Sequence, residues 1–365
     1  MRILSLVSDA FGGHGGIALY NRDFLTAMCR YYTTREVVAF PRIMPLVPEA
    51  FPSNLHYVLA GLQGRLAYVG HVLMALHRDR NFQIIHVGHL NLFPLGYLCH
   101  LITRAPMLLS IYGIDAWDHS ILKLPRFLLR RVHTTISISK MTKERFLQWA
   151  PVSPNSVKIL PNAIHLEKYG VRERNPDLIS RYGFAGKRVI MTLGRIVERE
   201  RYKGFDEVID LMPGLLQQFP NLVYLIVGDG TDLPRLKQKV IDMGLVGKVI
   251  FAGAIPEDEK ADHYRLADAY IMPSAGEGFG FVFLEALACG IPVVASKTDG
   301  SREAVRDGIL GTMVDPTSPA EIEAAIIEAL GKPRGIIPQG LSYFAWPEFE
   351  RRCHRIMADI ERCVP

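Results

Sequence analysis

The sequence has few cysteines, and none of them has the spacing of a metal site or a redox pair. Five occur in 365 residues, and they lie far apart along the chain: Cys29, Cys99, Cys289, Cys353 and Cys363. Without a C-x-x-C pair a structural zinc site is not indicated, and a chain of this length does not call for a disulfide framework. We therefore expect reduced, mostly buried cysteines and a cytoplasmic protein.

Long apolar runs are also missing. The run at residues 3–7 is too short for the apolar region of a signal peptide. The best candidate for a membrane span, residues 84–102, contains three histidines, an asparagine and a proline, which would be costly in lipid. A buried strand followed by a loop and a helix explains this segment better, so we expect a soluble protein.

Charge of one sign is not concentrated in the chain. The net charge is +5, and it lacks the clustered basic stripe expected for nucleic-acid binding. The densest basic run contains Lys123, Arg126, Arg130 and Arg131. It predicts a helix with one solvated face or, alternatively, a peripheral patch for anionic lipid headgroups on the inner face of a membrane.

The sequence does contain two series of short apolar runs separated by helical patterns. The first series lies at residues 3–7, 37–40, 84–87, 107–111 and 135–138, and the second at 189–193, 222–227, 249–251, 269–272 and 293–295. Each series predicts a Rossmann-like, doubly wound α/β domain with a parallel sheet. We expect domains at residues 1–165 and 166–345, a helix over 346–365, and a linker within 151–174. Two such domains facing each other predict a ligand in the cleft between them.

The richest stretch of chemistry runs from Glu277 to Glu285. Three alternating glycines follow the end of a strand and precede a helix that begins at about Phe281. The helix N-terminus offers free N–H groups and a positive dipole end to a diphosphate. Glu285, in the second turn of this helix, could accept both hydroxyls of a ribose, and Glu277 would lie near a sugar. The alternative is a pair of solvated glutamates beside an ordinary strand–helix turn.

Two cations follow the first strand of the second series. Arg195 comes directly after the strand and Gly194, and Lys203 follows eight residues later. Strand ends line the ligand crevice of such sheets, so these cations can neutralise charge on a departing diphosphate. Ordinary surface charges are the alternative.

The glycine loop at residues 12–16 opens the first domain. Its letters fit the dinucleotide pattern G-x-G-x-x-A, but the second strand does not end in the acidic residue that this pattern needs. We therefore expect Gly15 and Gly16 to let a donor or acceptor approach closely. His86, His89, Tyr112 and Asp115 also fall near strand ends; satisfied polar residues and an acceptor-side or sugar-side role remain equally open for them.

Together these residues resemble glycosyltransferase family 4, the retaining group-1 family. The marks, in chain order, are Gly15-Gly16-Ile17, Ile159-Leu160-Pro161-Asn162, Gly194-Arg195 with Lys203-Gly204, Val227-Gly228-Asp229-Gly230, and the pair Glu277 and Glu285. The resemblance covers almost the whole chain. It implies a GT-B fold of two Rossmann-like domains, with a C-terminal crossover helix that packs back on the first domain.

The resemblance also implies roles for these residues. Arg195 and Lys203 would bind the donor diphosphate, Glu277 a sugar hydroxyl and Glu285 the ribose. The remaining donor contacts would come from Gly15, Gly16, Gly194, the loop with Ile255 that lines the base, and the backbone of Gly278, Phe279, Gly280, Phe281 and Val282. Retention would proceed by front-face attack, with the leaving phosphate taking the acceptor proton.

One departure from the family pattern concerns the acceptor side, where Tyr112 stands in place of a common histidine. A second is an insertion over residues 197–201. No D-x-D pair that could hold Mg²⁺ is present, so we expect no metal and no other cofactor. The predicted substrates are a UDP- or GDP-sugar and a glycan or lipid-linked acceptor, in polysaccharide or glycolipid biosynthesis. The alternatives are another enzyme of this fold, such as a nucleotide-sugar epimerase or a glycoside phosphorylase, or a non-catalytic nucleotide-sugar-binding protein.

Overall fold

The computed structural model describes residues 1–13, 15–48, 50–120 and 124–362. Lys123 and Cys363, which the sequence analysis named, lie outside these ranges, as does His14 in the glycine loop at residues 12–16. The chain divides into two compact units: residues 1–163 together with the C-terminal segment that begins at Trp346, and residues 164–345. The four described cysteines are buried and unpaired.

The first unit is built on a parallel sheet of seven strands. The strands are β1 Arg2–Val7, β2 Glu36–Pro41, β3 Leu55–Tyr57, β4 Ile84–Val87, β5 Met107–Ile111, β6 Val132–Ser137 and β7 Val157–Ile159. Their order is β3-β2-β1-β4-β5-β6-β7. The helices are α1 Gly15–Arg30, α2 Arg65–Arg78, α3 Phe93–Thr103, α4 Ile114–Trp117 and α5 Lys140–Trp149. Because helices cover a parallel sheet on both faces, its strands are continuous apolar runs.

The second unit repeats this architecture with six parallel strands. They are β8 Arg188–Leu193, β9 Leu222–Val227, β10 Val249–Gly253, β11 Ala269–Ile271, β12 Val293–Ser296 and β13 Thr312–Val314, in the order β10-β9-β8-β11-β12-β13. The helices are α6 Pro176–Tyr182, α7 Phe205–Gln218, α8 Leu233–Asp242, α9 Lys260–Leu266, α10 Phe281–Ala288, α11 Ser301–Ala304 and α12 Pro319–Gly331. The predicted pair of doubly wound sheets is confirmed.

The last helix, α13 Trp346–Glu361, packs on α1 in the first unit. The ring of Phe349 meets that of Tyr20 edge to face at 5.6 Å. His354 Nε2 lies 2.9 Å from the carbonyl oxygen of Ala27. Both contacts tie α13 to α1.

Three short segments differ from the sequence predictions. The prediction of a linker over residues 151–174 is wrong at residues 157–159, which form β7 and pair with β6 in the first sheet. β3 and β13 were not predicted, because three-residue strands carry too little apolar pattern to stand out. Arg126–Arg131 is a 3-10 helix rather than an α-helix. Residues 84–102, as predicted, form β4, a 3-10 turn and most of α3. In the described ranges no helix has the length and apolarity that a membrane crossing requires.

Each sheet has one place where the strand order reverses, between β1 and β4 in the first unit and between β8 and β11 in the second. In open α/β sheets, ligands bind beyond the carboxyl ends of the strands at such a point. In the second unit this brings the loop after β8, with Gly194 and Arg195, beside the loop after β11, with Glu277. In the first unit it brings the glycine loop after β1 beside His89, which follows β4.

Candidate active site

The backbone around Arg195 is held by the loop that follows β9. The amide of Gly194 donates to the carbonyl of Val227 at 3.0 Å, and the amide of Ile196 donates to the carbonyl of Asp229 at 2.9 Å. A Cβ atom at Gly228 would lie only 1.9 Å from the carbonyl oxygen of Gly194, so glycine is required there. The glycines after β9 thus fix the base of the Arg195 side chain.

The side chains of Arg195 and Lys203 converge on a carboxylate that the sequence analysis did not single out, Glu200. Arg195 Nη2 lies 2.5 Å from Glu200 Oε1, and Lys203 Nζ lies 3.1 Å from Oε2. Lys203 Nζ is close enough to Glu200 Oε2 for an ion pair, but the two groups are not aligned for a hydrogen bond. Oε2 has no hydrogen-bond partner among the described residues. The Glu200 side chain is 6% exposed, whereas that of Arg195 is 67% exposed.

Glu200 lies within the insertion expected over residues 197–201, and the conformation of this segment directs its side chain towards Arg195 and Lys203. Residues Glu198–Lys203 form a 3-10 helix that kinks at Glu200, where φ is −116° and ψ is 25°. The carbonyl of Tyr202 then accepts a hydrogen bond from the amide of Ala275 at 2.8 Å. The inserted segment is thereby tied to the loop that carries Glu277.

A second buried carboxylate, Asp299, holds that loop from the other side. Its Oδ2 accepts the Ser274 hydroxyl at 2.7 Å and the Glu277 amide at 2.8 Å. Its Oδ1 accepts the hydroxyl and the amide of Ser301 at 2.6 and 3.0 Å. The next residue, Gly300, donates its amide to the Glu277 carbonyl, and a Cβ there would lie 2.1 Å from the Gly278 carbonyl oxygen. Asp299 therefore accepts four donors, two from the Glu277 loop and two from Ser301, and so joins this loop to the start of α11.

The Glu277 side chain lies half-buried within this loop. Its Oε1 accepts the amide of Gly278 at 3.2 Å. Burial raises the pKa of Glu277 above its ordinary value, and the neighbouring charge of Lys203 opposes that rise. Lys203 therefore acts electrostatically on both Glu200 and Glu277.

Helix α10 begins directly after the loop. Gly280 is its N-cap with φ at 93°, and because it is glycine no side chain of its own closes the helix start. Phe279 is buried, whereas Phe281 and Val282 are partly exposed at the first turn. Free N–H groups at this end, together with the helix dipole, suit an anion.

Glu285 is buried in the second turn of α10 and already has three donors. The Tyr169 hydroxyl and Lys260 Nζ lie 2.8 and 2.6 Å from Oε1, and the Tyr264 hydroxyl lies 2.8 Å from Oε2. A carboxylate has about four acceptor positions, so about one remains, on Oε2. The predicted contact of Glu285 with a ribose stays a prediction. With one acceptor position left, Glu285 can accept one ribose hydroxyl rather than two, unless one of its three present donors moves away.

The loop after β10 carries the residue predicted to line a base, Ile255. The Gly253 carbonyl accepts the amide of Gly228 at 2.8 Å, which joins this loop to the one that abuts Gly194. Ile255 is half-buried just beyond. The loop predicted to line the base and the loop that carries Arg195 are therefore both hydrogen-bonded to the segment that follows β9.

In the first unit, His86 lies inside the sheet. Its Nδ1 is 2.7 Å from Ser5 Oγ on β1, and its Nε2 is 3.1 Å from Ser110 Oγ on β5. Burial lowers the pKa of His86 to about 3. A neutral, fully buried histidine that bridges three strands is placed to hold the sheet together, and this placement does not favour the predicted acceptor-side role.

Tyr112 is also buried and its hydroxyl is engaged. The hydroxyl oxygen lies 2.7 Å from Asn21 Oδ1 and 2.9 Å from the Gly88 carbonyl. Asn21 in turn donates to the Asp9 carbonyl at 3.0 Å. Tyr112 therefore links β5, α1 and the end of β4, and burial raises the pKa of its phenol well above the ordinary value.

Two further polar residues, His89 and Asp115, lie near Tyr112, and the ring of His89 is 6.1 Å from that of Tyr112. His89 Nε2 lies 3.9 Å from Asp115 Oδ2, which has no hydrogen-bond partner among the described residues. Burial lowers the pKa of His89 to about 4 and raises that of Asp115 to about 7. Between these pH values both side chains are neutral, so their contact is not an ion pair. Gly15 and Gly16 are exposed at the start of α1.

The chain matches two family models. Residues 14–168 match Glycosyltransferase Family 4, and residues 177–338 match Glycosyl transferases group 1. A GDP-mannose-dependent alpha-(1-6)-phosphatidylinositol monomannoside mannosyltransferase of Mycolicibacterium smegmatis is 33% identical over 69% of this chain and 69% of its own length. The chain belongs to glycosyltransferase family 4. A phosphatidyl-myo-inositol mannosyltransferase of Mycobacterium leprae is 31% identical over 80% of this chain and 75% of that protein.

Solved structures share the fold of this glycosyltransferase. HepE of Anabaena, in complex with UDP, has a TM-score of 0.74 at 21% identity and covers 98% of this chain and 100% of its own. Sucrose-phosphate synthase of Thermosynechococcus elongatus has a TM-score of 0.77 at 20% identity, with 99% of both chains covered. The GT-B fold predicted from the sequence is confirmed.

The second unit of the glycosyltransferase contains the residues that the sequence analysis assigned to the donor, except Gly15 and Gly16, which lie in the first unit. Arg195, Lys203 and Glu277 lie on loops that are hydrogen-bonded to one another. Sequence reasoning missed Glu200, Asp299 and Lys260. Glu200 contacts Arg195 and Lys203, Asp299 holds the Glu277 loop, and Lys260 contacts Glu285. In the described ranges, no three His, Cys, Asp or Glu side chains are grouped as metal ligands would be.

Proposed function

We propose that this glycosyltransferase transfers a sugar from a nucleotide-diphosphate donor with retention of the anomeric configuration and without a metal ion. The convergence of Arg195 and Lys203 beside the Glu277 loop carries the proposal. Because the Mycolicibacterium smegmatis relative is named for GDP-mannose and a phosphatidylinositol mannoside, GDP-mannose and an inositol phospholipid are the first donor and acceptor to test.

In the proposed reaction the bond between the sugar C1 and the phosphate oxygen breaks while the acceptor oxygen bonds to C1 on the same face. The acceptor hydroxyl proton passes to an oxygen of the departing diphosphate. Charge grows on that diphosphate as the bond lengthens, and Arg195, Lys203 and the N–H groups of α10 oppose it. Each cation of this kind contributes roughly 2–4 kcal/mol to the transition state, by analogy with one oxyanion-hole donor.

The same geometry supports the assignment of the remaining donor groups. Glu277 would accept a hydroxyl of the transferred sugar, and Glu285 would accept one ribose hydroxyl through Oε2. Ile255 would lie against the base. Because these groups surround the diphosphate position from different loops, the donor would be fixed at both of its ends.

A lipid acceptor would require contact with a membrane surface, and the 3-10 helix Arg126–Arg131 fits that requirement. Its Phe127 is 60% exposed. It also borders a cavity of about 420 Å³ lined by Tyr97, Phe127, Leu128, Arg130 and Arg131. Exposed arginines beside an aromatic side chain suit an anionic lipid surface. We expect binding to phosphatidylinositol vesicles but not to phosphatidylcholine vesicles, and loss of binding in Arg130→Glu/Arg131→Glu.

The function is tested by following GDP release from GDP-mannose with and without phosphatidylinositol, in EDTA. Acceptor-dependent release and an α-linked mannolipid, identified by NMR, are the expected results. Conversion of the sugar without GDP release would favour an epimerase, and donor binding without turnover would favour a non-catalytic binding protein. Loss of activity in EDTA that Mg²⁺ restores would contradict the proposed metal independence.

A further inference from the structure

Glu200 occupies an unusual position for a carboxylate near a predicted diphosphate site. Its two oxygens lie 2.5 Å from Arg195 Nη2 and 3.1 Å from Lys203 Nζ, so one side chain spans both cations. The side chain is 6% exposed, and Oε2 lacks a hydrogen bond among the described residues. A nearly buried carboxylate with an unsatisfied oxygen is costly unless nearby positive charge compensates it.

The cations have more donors than Glu200 uses. A guanidinium carries five N–H donors and an ammonium carries three. Glu200 engages Nη2 of Arg195 on one side and Nζ of Lys203 on the other. The remaining donors of Arg195, whose side chain is 67% exposed, are therefore available to a second anion, whereas the Lys203 side chain is only 12% exposed.

Exposure indicates where such an anion would bind. The side chains of Glu200 and Lys203 are 6% and 12% exposed, whereas 67% of the Arg195 side chain faces solvent. A diphosphate arriving from the open side would meet Arg195 first, with Lys203 deeper in the site, and would not displace Glu200. A negative charge below the pair also lowers their mutual repulsion, which allows the two positive groups to stay close together before the ligand binds.

We infer that Glu200 is a positioning residue, which holds Arg195 and Lys203 in the separation that the donor diphosphate needs. The inference rests on the proposed function, because it assigns Glu200 a part in the same site. It accounts for the insertion that separates Arg195 from Lys203: the additional residues form the kinked 3-10 turn that directs this carboxylate inward. Orientation fixed before binding increases both affinity and rate, because less freedom is lost on the way to the transition state.

The test compares Glu200→Gln with Glu198→Gln. Glu198 lies in the same 3-10 helix but its side chain is 79% exposed, so it serves as the matched control. Titration calorimetry would measure the affinity for GDP and for guanosine, and kinetics would give kcat and KM for GDP-mannose. We expect Glu200→Gln to weaken GDP binding and to lower kcat, each by about tenfold, while guanosine affinity and the Glu198→Gln variant stay within about twofold of wild type.

Guanosine separates positioning of the cations from a general disturbance of the unit, since a disturbed fold would weaken both ligands. If Glu200→Gln does not fold, Glu200→Asp should weaken GDP binding in the same way, because the shorter aspartate side chain cannot span both cations. GDP affinity that is unchanged or tighter in the variant would overturn the inference and indicate a carboxylate that competes with the ligand. Failure of the wild-type protein to bind GDP, UDP or any donor would instead overturn the proposed function on which the inference rests.

Discussion

The two units place polar groups at the same point of their sheets but give their buried charged groups different partners. In the second unit, Glu200, Asp299 and Glu285 are buried and each is compensated, by cations, by hydroxyl and amide donors, or by both. In the first unit, His89 accepts one backbone amide, that of Asn91, and Asp115 Oδ2 has no hydrogen-bond partner among the described residues; burial shifts the pKa of each towards the neutral form.

This difference indicates two kinds of site. Side chains with several fixed partners keep their orientation when a ligand arrives, which suits the fixed, doubly negative diphosphate of a donor. Neutral groups of shifted pKa suit an uncharged hydroxyl acceptor, because they can donate or accept a hydrogen bond without a large desolvation cost. The comparison agrees with the proposed donor side in the second unit, and we expect hydroxyl recognition in the first.

The largest expected effect is loss of a donor-side cation. Lys203→Ala or Arg195→Ala should lower kcat/KM by roughly 100- to 1,000-fold, because the departing diphosphate loses one positive partner. Lys237→Ala, on the exposed face of α8, is the control and should behave as wild type. Steady-state kinetics with the donor measures the effect, and near-normal activity in both variants would place the diphosphate elsewhere.

The next effect concerns the buried acid of the first unit. The pKa of Asp115 is raised from 3.8 to about 7, so between these pH values the folded chain holds a proton that the unfolded chain has lost. Stability therefore falls as pH rises through this window, and an ionised Asp115 destabilises the fold above it. Asp115→Asn removes this cost and should stabilise the unit on the order of 3 kcal/mol at pH 8, with no gain at pH 4.

Thermal unfolding across pH 4–8 measures this difference. Asp118→Asn is the control, since Asp118 is exposed and a hydrogen bond from Ser120 lowers the pKa of its carboxyl. A stability difference between Asp115→Asn and wild type that does not change with pH would show that Asp115 is not a buried acid of raised pKa.

A smaller loss is expected from Asp299→Asn. Asparagine has one acceptor oxygen in place of two, so it cannot accept both the Ser274 and Glu277 donors and the two Ser301 donors, and two buried donors are left unpaired. We expect a loss of about 2 kcal/mol in unfolding free energy and a higher KM for the donor, because the Glu277 loop loosens. Asp258→Asn, on an exposed turn, should change neither quantity. Unchanged stability in Asp299→Asn would contradict the role given to this carboxylate.

The smallest effect should follow Tyr112→Phe. Removing the hydroxyl leaves Asn21 Oδ1 and the Gly88 carbonyl without this donor, which costs about 1 kcal/mol of stability. Activity should stay within about twofold, since the hydroxyl is buried and engaged in structural contacts. Tyr97→Phe, on α3, is the stability control. A large fall in kcat without loss of stability would give Tyr112 a direct part in the reaction.

Much of the fold could be predicted because strands such as β1, β9 and β11 are apolar runs between turn signals. The donor loops could be predicted as well, since their glycines and charges follow strands directly. Glu200 and Asp299 could not, because their importance depends on contacts that form only in the folded chain. For Asp299 a signal existed: an aspartate followed by glycine and serine just after β12 is typical of a capped turn.

The acceptor side was predicted less well for a related reason. His86 and His89 are three residues apart in the sequence, yet the first bridges three strands and the second lies near Asp115. Strand alternation decides which side chain enters the sheet and which follows its end, and residue type alone does not reveal it.

The central claim is that Arg195 and Lys203 bind the donor diphosphate while the buried carboxylate of Glu200 holds them in position. A crystal structure of the protein with GDP-mannose or its GDP product tests this most directly. The account predicts diphosphate oxygens at about 2.7–2.9 Å from nitrogens of both cations, with Glu200 still in contact on the buried side. A diphosphate bound away from both cations would contradict it.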